Sequence, residues 1–163
     1  MRCTGTPSTT QTQRPAEPLP AWAEIRLVIT GDPRTKKNSM QIVRSGKGKP
    51  VPIQSAAYIR YAEAAAWQIR AQAAKMDTRL MPVTGPVNLR CVYFMQTRRA
   101  VDLPNLLEAT CDILQDARIL ADDNRDHVAA MDGSRVMYDK QNPRVEILIT
   151  PLGEEYERWK TEK

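Results

Sequence analysis

The chain contains few of the residues that make histidine- or cysteine-based sites. It has a single histidine, His127, and three cysteines, Cys3, Cys91 and Cys111, none of which forms a CxxC pair. One histidine cannot make a histidine-rich metal site or a catalytic triad, and the cysteine spacing does not indicate zinc. We expect reduced cysteines, with Cys91 and Cys111 buried as small apolar residues.

Long apolar runs are also missing. No segment of the 163 residues is apolar enough over a sufficient length to cross a membrane, and we expect none to do so. The N-terminus lacks the apolar core of a signal peptide, so a cytoplasmic location is expected. The segment Gly46-Lys47-Gly48-Lys49 does not have the GxxxxGK[ST] spacing of a Walker A motif.

Positive charge, by contrast, is in excess. The formal net charge is +5, which suits a polyanionic partner but is a weak signal alone. The stretch from residue 34 to 49 has no acidic residue and six cations, namely Arg34, Lys36, Lys37, Arg44, Lys47 and Lys49. Arg98 and Arg99 form a second basic segment. Such cations suit contacts with a nucleic-acid backbone, although the same charges could merely keep the protein soluble.

The chain divides by composition into three parts. Residues 1–22 are rich in Thr, Pro, Gln and Ser and are predicted to be a disordered tail. Residues 23–152 have the patterning of one folded domain, and residues 153–163 form a charged extension that could continue as a short exposed helix.

Strand and helix patterns alternate within the folded part. Period-two patterns predict strands near 24–30, 86–95, 135–139 and 144–150, and two short extended arms near 40–44 and 51–53. Helices are predicted from about 56 to 75, after the N-cap Ser55, and from about 103 to 117. The expected fold is α+β (mixed α/β), with a small mixed sheet flanked by two main helices.

Each helix has a predicted apolar face. In the first helix this face contains Ile59, Ala62, Ala66, Ile69 and Ala73, widened by Tyr58, Tyr61 and Trp67. In the second it contains Leu106, Leu107, Thr110, Ile113 and Leu114. Residues at spacings of three and four share one side of a helix, so both sets are predicted to be core.

Carboxylates cluster around the second helix. Asp102 lies just before it, Asp122 and Asp123 follow it, and Glu108 and Asp112 lie along one of its faces, with Asp116 one turn further. Asp102 could simply cap the helix, and Asp122-Asp123 could simply form a turn. If they converge, however, several carboxylates would be costly to bring together without a cation. Basic segments beside such a site are what phosphodiester cleavage requires, so a metal-dependent DNA nuclease is the preferred interpretation.

The ordered set of these motifs resembles the RusA family of Holliday junction resolvases over about residues 24–152. The set comprises Gly31-Asp32-Pro33 with Lys36-Lys37-Asn38, Ser55 with Tyr58, Arg98-Arg99 before Asp102, Asn105-Leu106, Asp112 with Leu114, Asp122-Asp123 and the last strand. The resemblance implies a mixed sheet flanked by helices, a homodimer, binding to four-way DNA junctions, and paired nicks made with Mg²⁺ (Mn²⁺ is possible).

The resemblance also implies which residues act. Asp102 matches the first catalytic aspartate of the family pattern Asp-x-Asp-Asn-x-x-Lys, Asn105 its asparagine, and Asp123 the distal aspartate, with Asp122 beside it. Pro104 replaces the second aspartate and Glu108 replaces the lysine. Because position 108 is one helical turn beyond 104, our hypothesis is that Glu108 returns the missing carboxylate.

The expected site follows from these matches. Asp102, Glu108 and Asp123 are the catalytic and metal-binding candidates, with Asp122 as a further ligand, and Asn105 and Asp112 are expected to be structural. The DNA-binding candidates are Lys36, Lys37, Lys47, Lys49, Arg98 and Arg99. The expected activity is Mg²⁺-dependent resolution of junctions in recombination and repair. One alternative is a catalytically impaired homologue that only binds junction DNA, and another is an RNA-binding or purely structural basic protein.

Overall fold

The computed structural model describes residues 23–36, 40–44 and 50–153, together with 156, 158, 161 and 162. The predicted tail at residues 1–22 and most of the C-terminal extension lie outside the described residues. So do three of the DNA-binding candidates, Lys37, Lys47 and Lys49.

Two helices and seven strands are found in the described part of the chain. The strands are β1 (Ile25–Thr30), β2 (Met40–Arg44), β3 (Pro50–Gln54), β4 (Val87–Met95), β5 (Val128–Ala130), β6 (Arg135–Tyr138) and β7 (Arg144–Pro151). The helices are α1 (Ala56–Ala73) and α2 (Leu103–Asp116), and a short 3-10 turn spans Thr78–Leu80. The strands and the two main helices predicted for the folded part are therefore present, and β5 and the 3-10 turn were not predicted.

The main sheet is mixed. Its strand order is β1-β7-β4-β5, and β6 lies along the same edge of β4 as a further neighbour. Strand β7 is antiparallel to both β1 and β4, whereas β5 and β6 are parallel to β4. The two predicted arms, β2 and β3, pair with each other as a separate antiparallel ribbon. This arrangement confirms the expected α+β class.

One core joins the sheet to both helices. Alternate residues of β1, β4 and β7 are buried against it, as their period-two patterns predict. All five residues predicted to face inward from α2 are buried. Cys91 and Cys111 are buried free thiols, and their burial raises the pKa of each to about 12. Both stay protonated and act as small apolar core residues.

The predicted apolar face of α1 was partly wrong. Ser55 does cap this helix, since its hydroxyl oxygen accepts a hydrogen bond from the Tyr58 N–H at 3.1 Å. However, Trp67 is 73% exposed and Ile59 is 42% exposed. Only a narrow strip of α1 meets the sheet and α2, and small alanines occupy much of that strip. Tyr58 is buried and Tyr61 packs against the core, as predicted, whereas Ile59 and Trp67 remain outside it.

Two glutamines of α1 close the outer edge of the sheet at β1. Gln68 Oε1 accepts the Thr30 N–H at 2.8 Å, and Gln68 Nε2 donates to the Thr30 carbonyl at 3.2 Å. Gln72 makes the same pair with Val28, at 2.9 and 2.7 Å. The two amides thus occupy the backbone groups that a further strand would use.

In the described residues, neither helix has the length and hydrophobicity of a membrane span.

Candidate active site

Asp102 is the N-cap residue of α2, but its side chain does not act as a cap. Its backbone is extended (φ −83°, ψ 120°), and its carboxylate accepts no hydrogen bond from the helix amides. Instead Oδ2 accepts a hydrogen bond at 3.1 Å from Nδ2 of Asn105, three residues further along. The carboxylate is therefore exposed and directed by Asn105, so a pure capping role is wrong for this residue.

Pro104 occupies the first turn of α2, where it costs no helix hydrogen bond. The proline fixes the backbone at the start of the helix but brings no ligand atom. The first turn of α2 contains no acidic residue at all.

The segment between β4 and α2 is attached to the rest of the fold at its beginning. The Gln96 N–H donates to Asp32 Oδ1 at 2.9 Å, which ties the Gly31-Asp32-Pro33 loop to the end of β4. Beyond it, the guanidinium carbon of Arg98 lies 4.2 Å from the centroid of the Tyr138 ring. A cation over an aromatic face is attracted by the ring quadrupole, so Arg98 is positioned while it remains exposed. The loop that precedes Arg34 and Lys36 and the segment that carries Arg98 and Arg99 are therefore joined at the end of β4.

The acidic pair lies in a tight turn after α2. Arg118 adopts a left-handed conformation (φ 59°) just past the end of the helix and reverses the chain. Asp122 Oδ1 accepts the N–H of Asp123 at 2.7 Å and that of Asn124 at 3.4 Å, and Oδ2 accepts Nδ2 of Asn124 at 2.8 Å. These hydrogen bonds, the one from Asp123 foremost, lower the pKa of Asp122. Asp122 thus organises the turn and leaves Asp123 exposed.

A third group of acids lies on the side of α2 that faces α1. Glu108, Asp112 and Asp116 all act electrostatically on Tyr58, whose pKa is raised to about 12 by burial first and by these acids second. Asp112 is ion-paired with Lys36, and both side chains are about one third exposed. Asp112 and Lys36 line an open groove of about 940 Å³ between the two helices.

The charges of Asp123 and Asp112 both act on Cys111, a buried residue of α2. After burial, the charge of Asp123 and then that of Asp112 raise the pKa of the Cys111 thiol. The acidic turn therefore lies within electrostatic range of Cys111 in α2. Asp102 lies at the start of the same helix, so ten residues separate Asp102 from Asp112 along it, about 15 Å at the rise of an α-helix.

The described residues contain no group of three or more His, Cys, Asp or Glu side chains arranged to hold a metal ion. Carboxylates that no cation neutralises repel one another. Local hydrogen bonds hold two of the four metal-binding candidates, since Asn105 directs Asp102 and Asn124 engages Asp122 in the turn. The donor chemistry nevertheless suits Mg²⁺. This ion prefers carboxylate oxygens and is usually held by one or two of them, with waters and substrate phosphates.

The match to known proteins follows the same elements. The family model for endodeoxyribonuclease RusA matches residues 30–150, from the end of β1 into the last residues of β7. The chain belongs to the RusA family. This membership confirms the resemblance and implies a nuclease that acts on branched DNA. Comparison with curated proteins gave no match.

Several residues of this family site were not predicted from the sequence. Tyr138 was not predicted to support Arg98, and Asn124 was not predicted to bridge the acidic turn. Asn124 also accepts the Asp126 N–H at 2.9 Å and contacts Nδ1 of His127 at 3.0 Å. The sequence signal was present for Asn124, since Asp-Asp-Asn favours a side-chain-stabilised turn. No local pattern indicates that Arg98 meets Tyr138, because that contact depends on the parallel pairing of β6 with β4.

Proposed function

We propose that this RusA-family protein is a Mg²⁺-dependent endodeoxyribonuclease that resolves four-way DNA junctions by paired nicks. The observation that carries the proposal is the exposed Asp102 carboxylate, which is directed by Asn105 and preceded by Arg98 and Arg99. A carboxylate at a helix N-cap that does not cap the helix loses a common stabilising interaction. This arrangement is expected when the carboxylate has a ligand outside the helix.

In this proposal Arg98 and Arg99 bind the phosphates on either side of the scissile bond. The contact with Tyr138 limits the conformations of Arg98, so less side-chain entropy is lost when it binds DNA. Arg99 is exposed and next in sequence, and it contributes a second phosphate contact. Such contacts fix the position of the DNA without reading its sequence.

The carboxylates have separate roles. Asp102 and Asp123 are the exposed candidates for metal binding, while Asp122 keeps the turn in shape and Glu108 is the candidate replacement for the missing second aspartate. When bound, Mg²⁺ would stabilise charge on the phosphate and lower the pKa of a coordinated water. Asn105 positions Asp102 for this purpose by donating to one oxygen and leaving the other available.

The proposal includes a homodimer, because two incisions in opposing strands require two active sites. A two-fold axis in the protein would relate these sites as the symmetry of a four-way junction relates its strands. Lys36 and the basic residues of the β2–β3 region would then extend the contact with DNA beyond the two cleavage points. Lys36 can take part only when it exchanges Asp112 for a phosphate.

The main alternative is a homologue that binds junctions without cutting them. Two observations favour it, namely proline at position 104 and glutamate at position 108, where the family pattern has aspartate and lysine. Neither replacement affects the residues proposed to bind phosphates. The alternative therefore predicts the same DNA affinity and the same preference for branched DNA, without hydrolysis.

Incubation of the purified protein with an end-labelled synthetic junction distinguishes the two. With Mg²⁺ we expect symmetric nicks in opposing strands, none in the presence of EDTA, and little cleavage of linear duplex of the same sequence. Asp102→Asn provides the inactive control, and Asp116→Asn, at an exposed acid on the side of α2 that faces α1, provides the active one. Tight junction binding with no nicks at any concentration of Mg²⁺ or Mn²⁺ would favour the alternative.

A further inference from the structure

The face of α1 that borders the groove to α2 carries an exposed tryptophan that the nuclease site does not use. Trp67 lies within the helix and is 73% exposed, although tryptophan is a residue that proteins usually bury in large part. It lines the groove between α1 and α2, where Ile59 is also 42% exposed. Tryptophan and arginine are the residues most enriched at the centres of protein interfaces.

Opposite charges lie at nearly equal distances on either side of Trp67. Glu63 precedes it by four residues and Arg70 follows it by three, so all three lie on one face of the helix. Glu63 and Arg70 are separated by two helical turns, about 10.5 Å along the axis, which is too far for an ion pair between them. If a second α1 packs antiparallel across a two-fold axis near Trp67, each Glu63 faces the Arg70 of the other copy.

We infer that this face of α1, defined by Glu63, Trp67 and Arg70, is the surface through which two copies of the chain associate. The two Trp67 side chains would lie together at the axis, and two Glu63–Arg70 pairs would flank them. A two-fold interface must be complementary to itself, and these three residues meet that condition in sequence order. The inference rests on the homodimer of the proposed function and assigns it a surface.

The groove is less suited to DNA. Its lining contains three cations, Lys36, Arg60 and Arg70, but also three acids, Glu63, Asp112 and Asp116. Equal numbers of opposite charges do not produce the positive potential that attracts a polyanion. A mixed set of charges around an aromatic centre is what an interface between two proteins of the same kind can satisfy. Arg70 donates through one nitrogen to the Asp116 carbonyl at 2.7 Å, and within the part of the chain that the structure describes its other donors remain for a partner.

Charge reversal tests the pairing directly. Sedimentation equilibrium of the full chain is expected to show a dimer. Glu63→Arg alone, or Arg70→Glu alone, is expected to weaken dimerisation at least tenfold, because each substitution places like charges in both pairs. A mixture of the two variants should restore association as a heterodimer, in which both pairs are again opposite. Damage to the fold of either protomer would not be repaired by mixing, so rescue is specific to contact between copies.

Trp67→Ala is expected to weaken association at least tenfold as well. Met137→Ala, which removes a 47% exposed apolar side chain from β6, is the matched control and should leave the dimer intact. Thermal melting of each variant checks that the fold is retained. A monomeric wild type, unchanged dimerisation in the variants, or a mixture that fails to associate would each overturn the inference.

Junction binding by Trp67→Ala gives one more decisive result. If this variant remains dimeric but no longer binds a junction, the groove is a DNA site and the inference is wrong. Junction nicking is measured separately from sedimentation. A monomer that makes single nicks would therefore overturn this interface and leave the nuclease activity in place. A dimer that does not nick would leave the interface in place and overturn the nuclease activity.

Discussion

The Asn105 side chain donates a hydrogen bond to Asp102 Oδ2 at 3.1 Å, across the first turn of α2. The bond keeps the carboxylate outside the helix end, where its remaining oxygen faces solvent. The Asn105 side chain therefore positions the Asp102 carboxylate instead of capping the helix backbone. Its amide is neutral, so it can direct the carboxylate and leave the negative charge in place. A lysine or arginine would neutralise that charge.

Asp102→Asn should abolish nicking while leaving junction binding as tight as in the wild type or tighter. The substitution removes the charge that would hold the metal, worth about a hundredfold or more in rate, but also removes a negative charge near the phosphates. Rates under single-turnover conditions and filter-binding affinities measure the two effects. A variant that nicks within threefold of the wild type would exclude Asp102 from the reaction.

Asn105→Ala should give a smaller loss than Asp102→Asn, about ten- to a hundredfold in rate, as for other residues that orient a metal ligand. Because Asn105 acts through Asp102, its loss should raise the Mg²⁺ concentration needed for half-maximal rate and leave DNA affinity unchanged. A metal titration of the nicking rate separates this effect from a general loss of fold. The positioning role is wrong if Asn105→Ala lowers the rate at every Mg²⁺ concentration by the same factor.

Glu108 decides between the two readings of the altered family pattern. If its carboxylate replaces the missing aspartate, Glu108→Gln should lower the nicking rate by about a hundredfold. If the chain has instead lost activity through these replacements, Glu108→Lys, which restores the family residue, should raise it. Single-turnover nicking of both variants, with Asp116→Gln as a control on the same helix, gives opposite answers under the two readings.

Much of the fold could be predicted from the sequence because its signals are local. The period-two patterns of β1, β4 and β7 and the apolar stripe of α2 arise because one side of each element packs against the core. The face of α1 could not be predicted in the same way, since its stripe is largely alanine and nothing in the pattern separates the buried Tyr58 from the exposed Trp67. Burial there depends on how the helix sits against the sheet. A three-residue strand such as β5 has too few residues for any pattern.

The candidate site was predictable in its residue types but not in its geometry. Asp102, Asn105 and the Asp122-Asp123 turn could be selected because each lies at the end of an element, where polar side chains are exposed. The pairing of Lys36 with Asp112 joins a loop to a helix residue that lies more than seventy positions later. No periodicity reports such a contact. Asp112, expected to be structural, accordingly has an electrostatic partner that the sequence did not indicate.

Asp112→Asn should tighten DNA binding by releasing Lys36. The pair is partly exposed and contributes at most about 1 kcal/mol to stability, so the fold should survive its loss. A released Lys36 adds one phosphate contact, which should steepen the slope of log K against log salt by about 0.9. Asp116→Asn removes an equal charge from the same helix face and serves as the control. Equal salt slopes for the two variants would show that Lys36 does not reach DNA.

The pH dependence of stability should include a contribution from Asp139. Its pKa is lowered by the backbone N–H of Asn142 first and also by the guanidinium of Arg144, at 3.1 Å from Oδ2. A lowered pKa means that the folded state favours the ionised carboxylate. The stabilisation is therefore complete above the ordinary pKa of about 4 and is lost as pH falls through the lower folded value.

Asp139→Asn should therefore be less stable than the wild type at pH 7, and the difference should shrink as pH falls below the ordinary aspartate pKa and through the lower folded value. Urea unfolding at a series of pH values measures the difference, and Asp132→Asn, in the turn before β6, is the comparison. A gap between wild type and Asp139→Asn that stays constant from pH 7 to pH 2.5 would contradict the assigned cause.

The glutamine pair on α1 should be needed to keep β1 from pairing with other chains. Gln68→Ala with Gln72→Ala removes four hydrogen bonds to the backbone of Thr30 and Val28. Water can replace the lost partners at this exposed edge, so the free energy of unfolding should fall by only about 1–3 kcal/mol. Aggregation should change more, because an unpaired edge strand is a template for another. Light scattering below the melting temperature measures this, with Gln115→Ala on α2 as control. If the double variant stays monodisperse while its stability falls, the glutamines stabilise the helix–sheet contact alone and do not protect the edge.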